Sequence, residues 1–187
     1  MCYKYPYISG IDYESAADGP GIRAVFFLSG CNHHCKNCHN PDTHNPEYGQ
    51  PITDEMIQQM ADEIISRPYL SGITLSGGDP LYSFEKTERF ISSLVKAVFE
   101  RNKTFVNKPL WIYTGYTWEQ IMALYDGNTA IQNILSYTDV VVDGKFVEEL
   151  SDPSLSFRGS SNQRLIDVNE SIGNDRIFHW KNSSSEV

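Results

Sequence analysis

Cys31, Cys35 and Cys38 stand in one short stretch, Gly30-Cys31-Asn32-His33-His34-Cys35-Lys36-Asn37-Cys38-His39-Asn40. The spacing is C-x3-C-x2-C. Three thiolates this close in sequence can converge on a single metal centre. A mononuclear tetrahedral site wants four protein ligands, and His33, His34 or His39 would complete a Cys3His zinc set. Three cysteines can also hold an iron-sulfur cube with one iron left open. Spacing alone leaves both readings standing. The chain has 4 cysteines in 187 residues, too few for a disulfide scaffold, and Cys2 lies far from the cluster and receives no role.

The elements around the loop say where it hangs. Residues 24–28, Ala-Val-Phe-Phe-Leu, hold no polar side chain, the pattern of a strand buried on both faces. That strand runs straight into Gly30 and Cys31. In α/β architectures this is the strand end where chemistry is placed. Upstream, residues 7–11 read as a short strand or an extended arm, and Asp18-Gly19-Pro20-Gly21 as a tight loop. Residues 41–51 carry three prolines and a glycine and read as irregular.

Downstream the order repeats. Thr53 is an N-cap ahead of Ile57, Met60, Ala61, Ile64 and Ile65 at helical spacing, and Pro68 stops that helix. The strand at 72–76 empties into Gly77-Gly78-Asp79-Pro80. Ser83 caps a long helix with the stripe Ile91, Leu94, Val95, Val98 and Phe99. Residues 110–114 form the next strand. Thr117 and Gln120 make a capping box, a second short helix covers about 130–135, and 139–143 is another buried strand. Later segments, 163–168 and 176–180, read as strands. Strand, loop and helix recur at least three times, which predicts right-handed βαβ units and a parallel sheet. The chain is short for a closed eight-stranded barrel, which needs roughly 200 residues or more. A partial, open (β/α) barrel of about five or six mainly parallel strands is expected instead. It forms a single domain over 1–187, with a core at about 7–170 and a frayed tail at 182–187.

The totals exclude some functions. A net charge of −9 disfavours any role built on neutralising phosphates, so no nucleic-acid partner is expected. No run is long enough for a membrane span and no signal-peptide pattern follows Met1, so a cytoplasmic, membrane-free protein is expected. No paired-carboxylate or triad motif suggests acid–base or nucleophilic hydrolysis.

Residues 18–38, from Asp-Gly-Pro-Gly-Ile-Arg through the third cysteine, and Ser76-Gly77-Gly78-Asp79-Pro80 together resemble the radical S-adenosylmethionine enzymes, specifically the activases of glycyl radical enzymes. Three further stretches narrow the resemblance. They are Trp111-Ile112-Tyr113-Thr114-Gly115-Tyr116, Asp139 through Phe146, and Phe157 through Arg164. These look like the activases whose target is an anaerobic ribonucleoside-triphosphate reductase. The likeness covers roughly residues 7–170. Activases of the pyruvate formate-lyase type are similar through position 80 but longer.

The resemblance implies one 4Fe-4S cluster on Cys31, Cys35 and Cys38, with S-adenosylmethionine on the open iron. An electron from a flavodoxin-like reductant would cleave S-adenosylmethionine. The radical so formed would take a hydrogen atom from a glycine of the reductase. It also implies that Gly77 and Gly78 let the backbone approach the cofactor and that Asp79 accepts from its methionine amino group. The family often carries glutamate at that position. An aromatic residue often precedes the third cysteine there; Asn37 stands in its place, and His39 offers a ring on the other side of Cys38. Asp143 and Lys145 resemble an Asp-x-Lys element beside the cofactor, with a loop ion pair as the plain alternative. Thr114 ends a strand on the same rim. His33 and His34 are expected to face solvent.

Overall fold

The computed structural model of the protein describes residues 3–101, 108–174 and 176–181. Cys2, the 182–187 tail and the side chain of Phe99 lie outside the described residues. Seven strands form one sheet. They are β1 (Tyr7–Ser15), β2 (Arg23–Leu28), β3 (Gln50–Pro51), β4 (Gly72–Gly77), β5 (Leu110–Tyr113), β6 (Val140–Asp143) and β7 (Arg164–Asp167), in the spatial order β3-β1-β2-β4-β5-β6-β7. The central four, β2, β4, β5 and β6, are parallel. β1, β3 and β7 are antiparallel to their neighbours. The protein is therefore a mixed α/β fold whose parallel middle is flanked by antiparallel edges.

Alternation along each strand builds two apolar layers. Ala24, Phe26 and Leu28, Ile73 and Leu75, Leu110 and Ile112, Val141 and Ile166 join one cluster with the helices. The other side holds Trp111, Val140 and Val142, packed with Tyr113, Phe157, Leu165 and Trp180. Both faces of the middle strands are thus buried, which is why their sequences show no polar alternation.

The helices cover the first face. α1 (Asp54–Ile65) packs on α2 (Phe84–Arg101), α2 on α4 (Thr129–Tyr137), and α4 on α3 (Trp118–Tyr125). Thr53 caps α1 by accepting from the Met56 amide at 3.2 Å, and both halves of the Thr117–Gln120 box on α3 are present. Burial of Ile57, Met60, Ala61 and Ile64 docks α1 on the sheet. Each such larger side chain contributes about 1.5–3 kcal/mol.

Four features depart from the expectation. The sheet has seven strands where five or six were expected, and only the central four are parallel, because β1, β3 and β7 pair antiparallel at its edges. Residues 41–51 are not wholly irregular: Pro41–His44 is a 3-10 turn and β3 pairs with Tyr7 and Ile8 of β1. β1 runs four residues beyond position 11 because its whole length has β2 to pair with. The strand expected at 176–180 reduces to one bridge between His179 and Ile166, beyond which a short helix α5 (Val168–Ser171) follows β7.

Candidate functional site

The cysteine loop leaves the end of β2 and is tied down on both sides. Gly30 donates its amide to Thr43 at 2.8 Å and Cys31 to His44 at 3.4 Å, so the 3-10 turn buttresses the loop. Cys31 is 7% exposed, and burial pushes its thiol up from the usual range. Cys35 and Cys38 are half-buried, and all three thiols are free. Amides point at sulfur: His33 N–H at Cys31 Sγ and Asn40 N–H at Cys38 Sγ, each 3.4 Å. His34 and Asn37 take left-handed φ values of 47° and 53°. Asparagine tolerates that region far better than a bulky aromatic, a local reason for Asn37 where the family often has a ring. The side chain of Asn37 donates to Glu148, away from the cavity described below.

Gly77-Gly78-Asp79 leaves the end of β4 beside this loop. Gly78 donates to Leu28 O at 2.7 Å and Asp79 to Gly30 O at 2.8 Å. A Cβ on Gly77 would sit 2.4 Å from Leu28 O, and one on Gly78 would sit 2.5 Å from Gly30 O. Both glycines are required first by the close seating of one loop on the other. Gly77 also has a φ of +107°, which a side chain would strain.

Asp79 is 2% exposed. Its Oδ1 accepts from the Leu81 amide (2.8 Å) and the Thr114 hydroxyl (2.9 Å). Its Oδ2 lies 2.9 Å from the same hydroxyl, 3.0 Å from the Gly115 amide and 2.6 Å from His33 Nε2. A carboxylate has about four lone-pair sites, and here four donors use them. A methionine amino group would have to displace one of those donors to reach Asp79. His33 is therefore not a solvent-facing residue: its side chain is 11% exposed, and its ring lies edge-on to Tyr116 with centroids 4.8 Å apart. His34 is exposed, as expected, with its ring 4.8 Å from that of His44.

Asp143 is likewise spent on the fold. It is 1% exposed and accepts from the Trp118 amide at 2.7 Å, the Arg164 amide at 3.2 Å and the Arg164 guanidinium at 2.5 Å. It joins β6 to α3 and β7 by pairing with Arg164, not with Lys145. Arg164 also pairs with Glu119, holding that carboxyl down to about 2. Gln163 braces the neighbouring turn, with Oε1 accepting from the Gly159 amide and Nε2 donating to Gly144 O.

One cavity of about 260 Å³ brings the remaining features together. Cys31, Cys35 and Cys38 line it, as do Gly77, Gly78, Thr114, His39 and Lys145. The His39 ring leans on Phe146 at 4.9 Å. Asp79, Asn37 and Asp143 are not among its lining residues. Sequence reasoning missed Asp18, Phe27, Tyr113 and His44, which also line it. The inward alternation of Phe27 and Tyr113 was a usable signal; Asp18 reaches the cavity only through the path of its loop. His44 Nε2 is buried there without a hydrogen-bond partner. A larger apolar cleft of about 330 Å³ lies between α2, α4 and the sheet, remote from these groups.

Among the described residues no three His, Cys, Asp or Glu side chains converge as they would for one metal ion. The donor set does suit an iron-sulfur cluster: three free thiols on one cavity, two of them met by backbone amides.

Comparison with known proteins agrees with that chemistry. A family model described as a 4Fe-4S single cluster domain matches residues 17–166. The chain is 41% identical over 148 residues to the anaerobic ribonucleoside-triphosphate reductase-activating protein of Enterobacteria phage T4, covering 79% of this chain and 85% of the relative. It is 39% identical over 150 residues to the protein of that name from Escherichia coli (strain K12), covering 78% and 88%. The Vibrio cholerae serotype O1 protein of that name is 37% identical over 150 residues, again covering 78% and 88%. Among the described residues no helix is long and apolar enough to cross a membrane.

Proposed function

The chain belongs to the anaerobic ribonucleoside-triphosphate reductase-activating protein family, and on that premise we propose that it is a radical S-adenosylmethionine activase acting on such a reductase. Cys31, Cys35 and Cys38 hold a 4Fe-4S cluster. Bound there, the cluster would supply the one electron that reductive cleavage of S-adenosylmethionine needs, and the hydrogen atom would come from a reductase glycine, leaving methionine, 5′-deoxyadenosine and a glycyl radical. A flavodoxin-like protein supplies the electron, and the setting is cytoplasmic.

The protein's share is orientation and exclusion. Gly77 and Gly78 offer backbone to the ligand on the cavity wall, Lys145 a polar side chain and His39 a ring, while Thr114, its hydroxyl held by Asp79, shapes the wall. Asp79, Asn37 and Asp143 hold the loops that carry these groups. His33 Nε2 is committed to Asp79, which disfavours His33 as a fourth ligand of a structural zinc. The sheet is read as a partial open barrel, one domain, with the cysteines at its mouth where a protein segment can enter.

The observation that carries this reading is the opening of all three cysteines onto the cavity that Gly77 and Gly78 also line. The test is anaerobic. The protein is reconstituted with iron and sulfide, reduced with dithionite and given S-adenosylmethionine, and 5′-deoxyadenosine and methionine are sought by chromatography. Product from the native chain but not from Cys35→Ser is expected. A native chain that binds zinc and yields no product would overturn the proposal. With the reductase added, a glycyl radical signal by electron paramagnetic resonance identifies the target.

A further inference from the structure

We infer that His33 is a positioning residue, latching the cysteine loop to Asp79 so that the cluster seat and the cofactor seat are built as one unit. The inference rests on the proposed function and adds a role to a residue the cluster itself does not use.

Two contacts and burial fix the His33 ring. Nε2 lies 2.6 Å from Asp79 Oδ2, the ring stands edge-on to Tyr116, and its side chain is nearly buried. Gly115 makes room for it: a Cβ there would lie 2.3 Å from His33 Cδ2. Gly115 has no positive φ, so its lack of a side chain serves this packing and not a turn. Asp79 in turn grips the end of β5 through the Thr114 hydroxyl and the Gly115 amide. His33 stands midway between Cys31 and Cys35, and its own amide meets the Cys31 sulfur. The first two cysteines are therefore spaced by a residue anchored on the neighbouring loop. Without that anchor the segment between Gly30 and Cys38 keeps few ties to the rest of the fold. Among the described residues these are the Cys31 amide on His44, the His34 ring against the His44 ring, and the contacts of Lys36 and Asn37 with Glu148 and Glu149. Those side-chain ties are exposed and weak. A site held to sub-ångström geometry needs such outer support.

The test compares His33→Ala, His33→Gln and Gly115→Ala with the native chain. The readouts are far-ultraviolet circular dichroism, iron and sulfide per chain after anaerobic reconstitution, and S-adenosylmethionine affinity by equilibrium dialysis. Glutamine keeps an N–H donor within reach of Asp79, whereas Gly115→Ala displaces the ring without removing it. His33→Ala and Gly115→Ala should fold, load less cluster and bind S-adenosylmethionine about tenfold or more weakly, the scale of one lost hydrogen bond to a charged group. His33→Gln should recover most of the affinity. Native-like loading and affinity in His33→Ala or Gly115→Ala would overturn the inference, as would His33→Gln as impaired as alanine. If His33→Ala does not fold, Gly115→Ala and His33→Gln decide. A native chain that takes no cluster or cofactor fails the proposed function instead, and is distinguishable because it fails before any variant is compared.

Discussion

The carboxylate of Asp79 is the most heavily used side chain near the cysteines, and nearly all its use is internal. Four donors from three separate segments meet it, and it is 2% exposed. Removing a charged acceptor from so many buried donors is costly, because each donor loses its partner without regaining water. Asp79→Ala is expected to lower the unfolding free energy of the metal-free chain by about 3–5 kcal/mol. A urea midpoint close to native would show that these contacts do not carry the loops. The motif was legible as a site element only through the family resemblance, in its order after the cysteine loop; by itself Gly-Gly-Asp-Pro reads as a turn. Its division of labour was not legible at all. Sequence places the acid beside a ligand; only the fold reveals that Thr114, Gly115 and His33 arrive there first, from 35, 36 and 46 residues away. His33 shows the same limit. A histidine in a polar loop reads as solvent-facing until a tertiary partner is known.

At the scale of elements, β6, α3 and β7 are joined through one buried carboxylate. Asp143 receives the α3 amide of Trp118 and the main chain and side chain of Arg164 on β7. Arg164 then reaches outward to Glu119 on α3. The two carboxylates differ in worth because they differ in burial. Asp143 is 1% exposed at its side chain and Glu119 is 61% exposed. Asp143→Ala leaves the Trp118 and Arg164 amides without their buried acceptor and the Arg164 guanidinium with only its exposed partner Glu119, and should cost about 2–4 kcal/mol. Glu119→Gln should stay within about 1 kcal/mol at neutral pH. The acid limb separates them further. Arg164 lowers the Glu119 carboxyl from 4.5 to about 2. A depressed acid contributes stability that is present above the unfolded value and is lost as pH falls through the folded one. The Glu119–Arg164 contribution should therefore fade between pH 4.5 and about 2. Unfolding free energies measured across that window should fall less steeply for Glu119→Gln than for native protein. Equal slopes would show that the pair does not form in solution. The helices and central strands were readable from period and caps, because their burial is continuous along the chain. Of the antiparallel edges, β7 and the start of β1 were readable as strands at 163–168 and 7–11, whereas β3, two residues long, has no period to read.

Across the whole molecule, a second buried polar centre closes the strand ends opposite the cysteines. The Asp-Gly-Pro-Gly-Ile-Arg stretch delivers Arg23 to the first position of β2, whereas the cysteines follow its last. A six-residue strand separates the two ends by about 20 Å. Arg23 is fully buried, and burial lowers its guanidinium to about 10, so it stays cationic at neutral pH. It donates to the Thr74 hydroxyl at 2.8 Å, to Ile73 O at 2.6 Å and to Pro109 O at 2.8 Å, and its guanidinium lies 5.2 Å from the Trp111 ring centre. Trp111 packs edge-on against Trp180 and Phe157. This fork closes the starting end of the sheet by joining β2, β4 and the chain entering β5. Lysine has one ammonium and no planar fork, so Arg23→Lys cannot satisfy three acceptors in that geometry. It should cost about 2–4 kcal/mol in urea unfolding, for at least one buried carbonyl is left without its donor. The substitution should nevertheless leave iron and sulfide uptake per folded chain unchanged, because no contact of Arg23 reaches the cysteine loop. Full stability in Arg23→Lys would deny the fork its structural role. Lost uptake in protein that is still folded would mean that the closed end of the sheet sets the geometry of the open one.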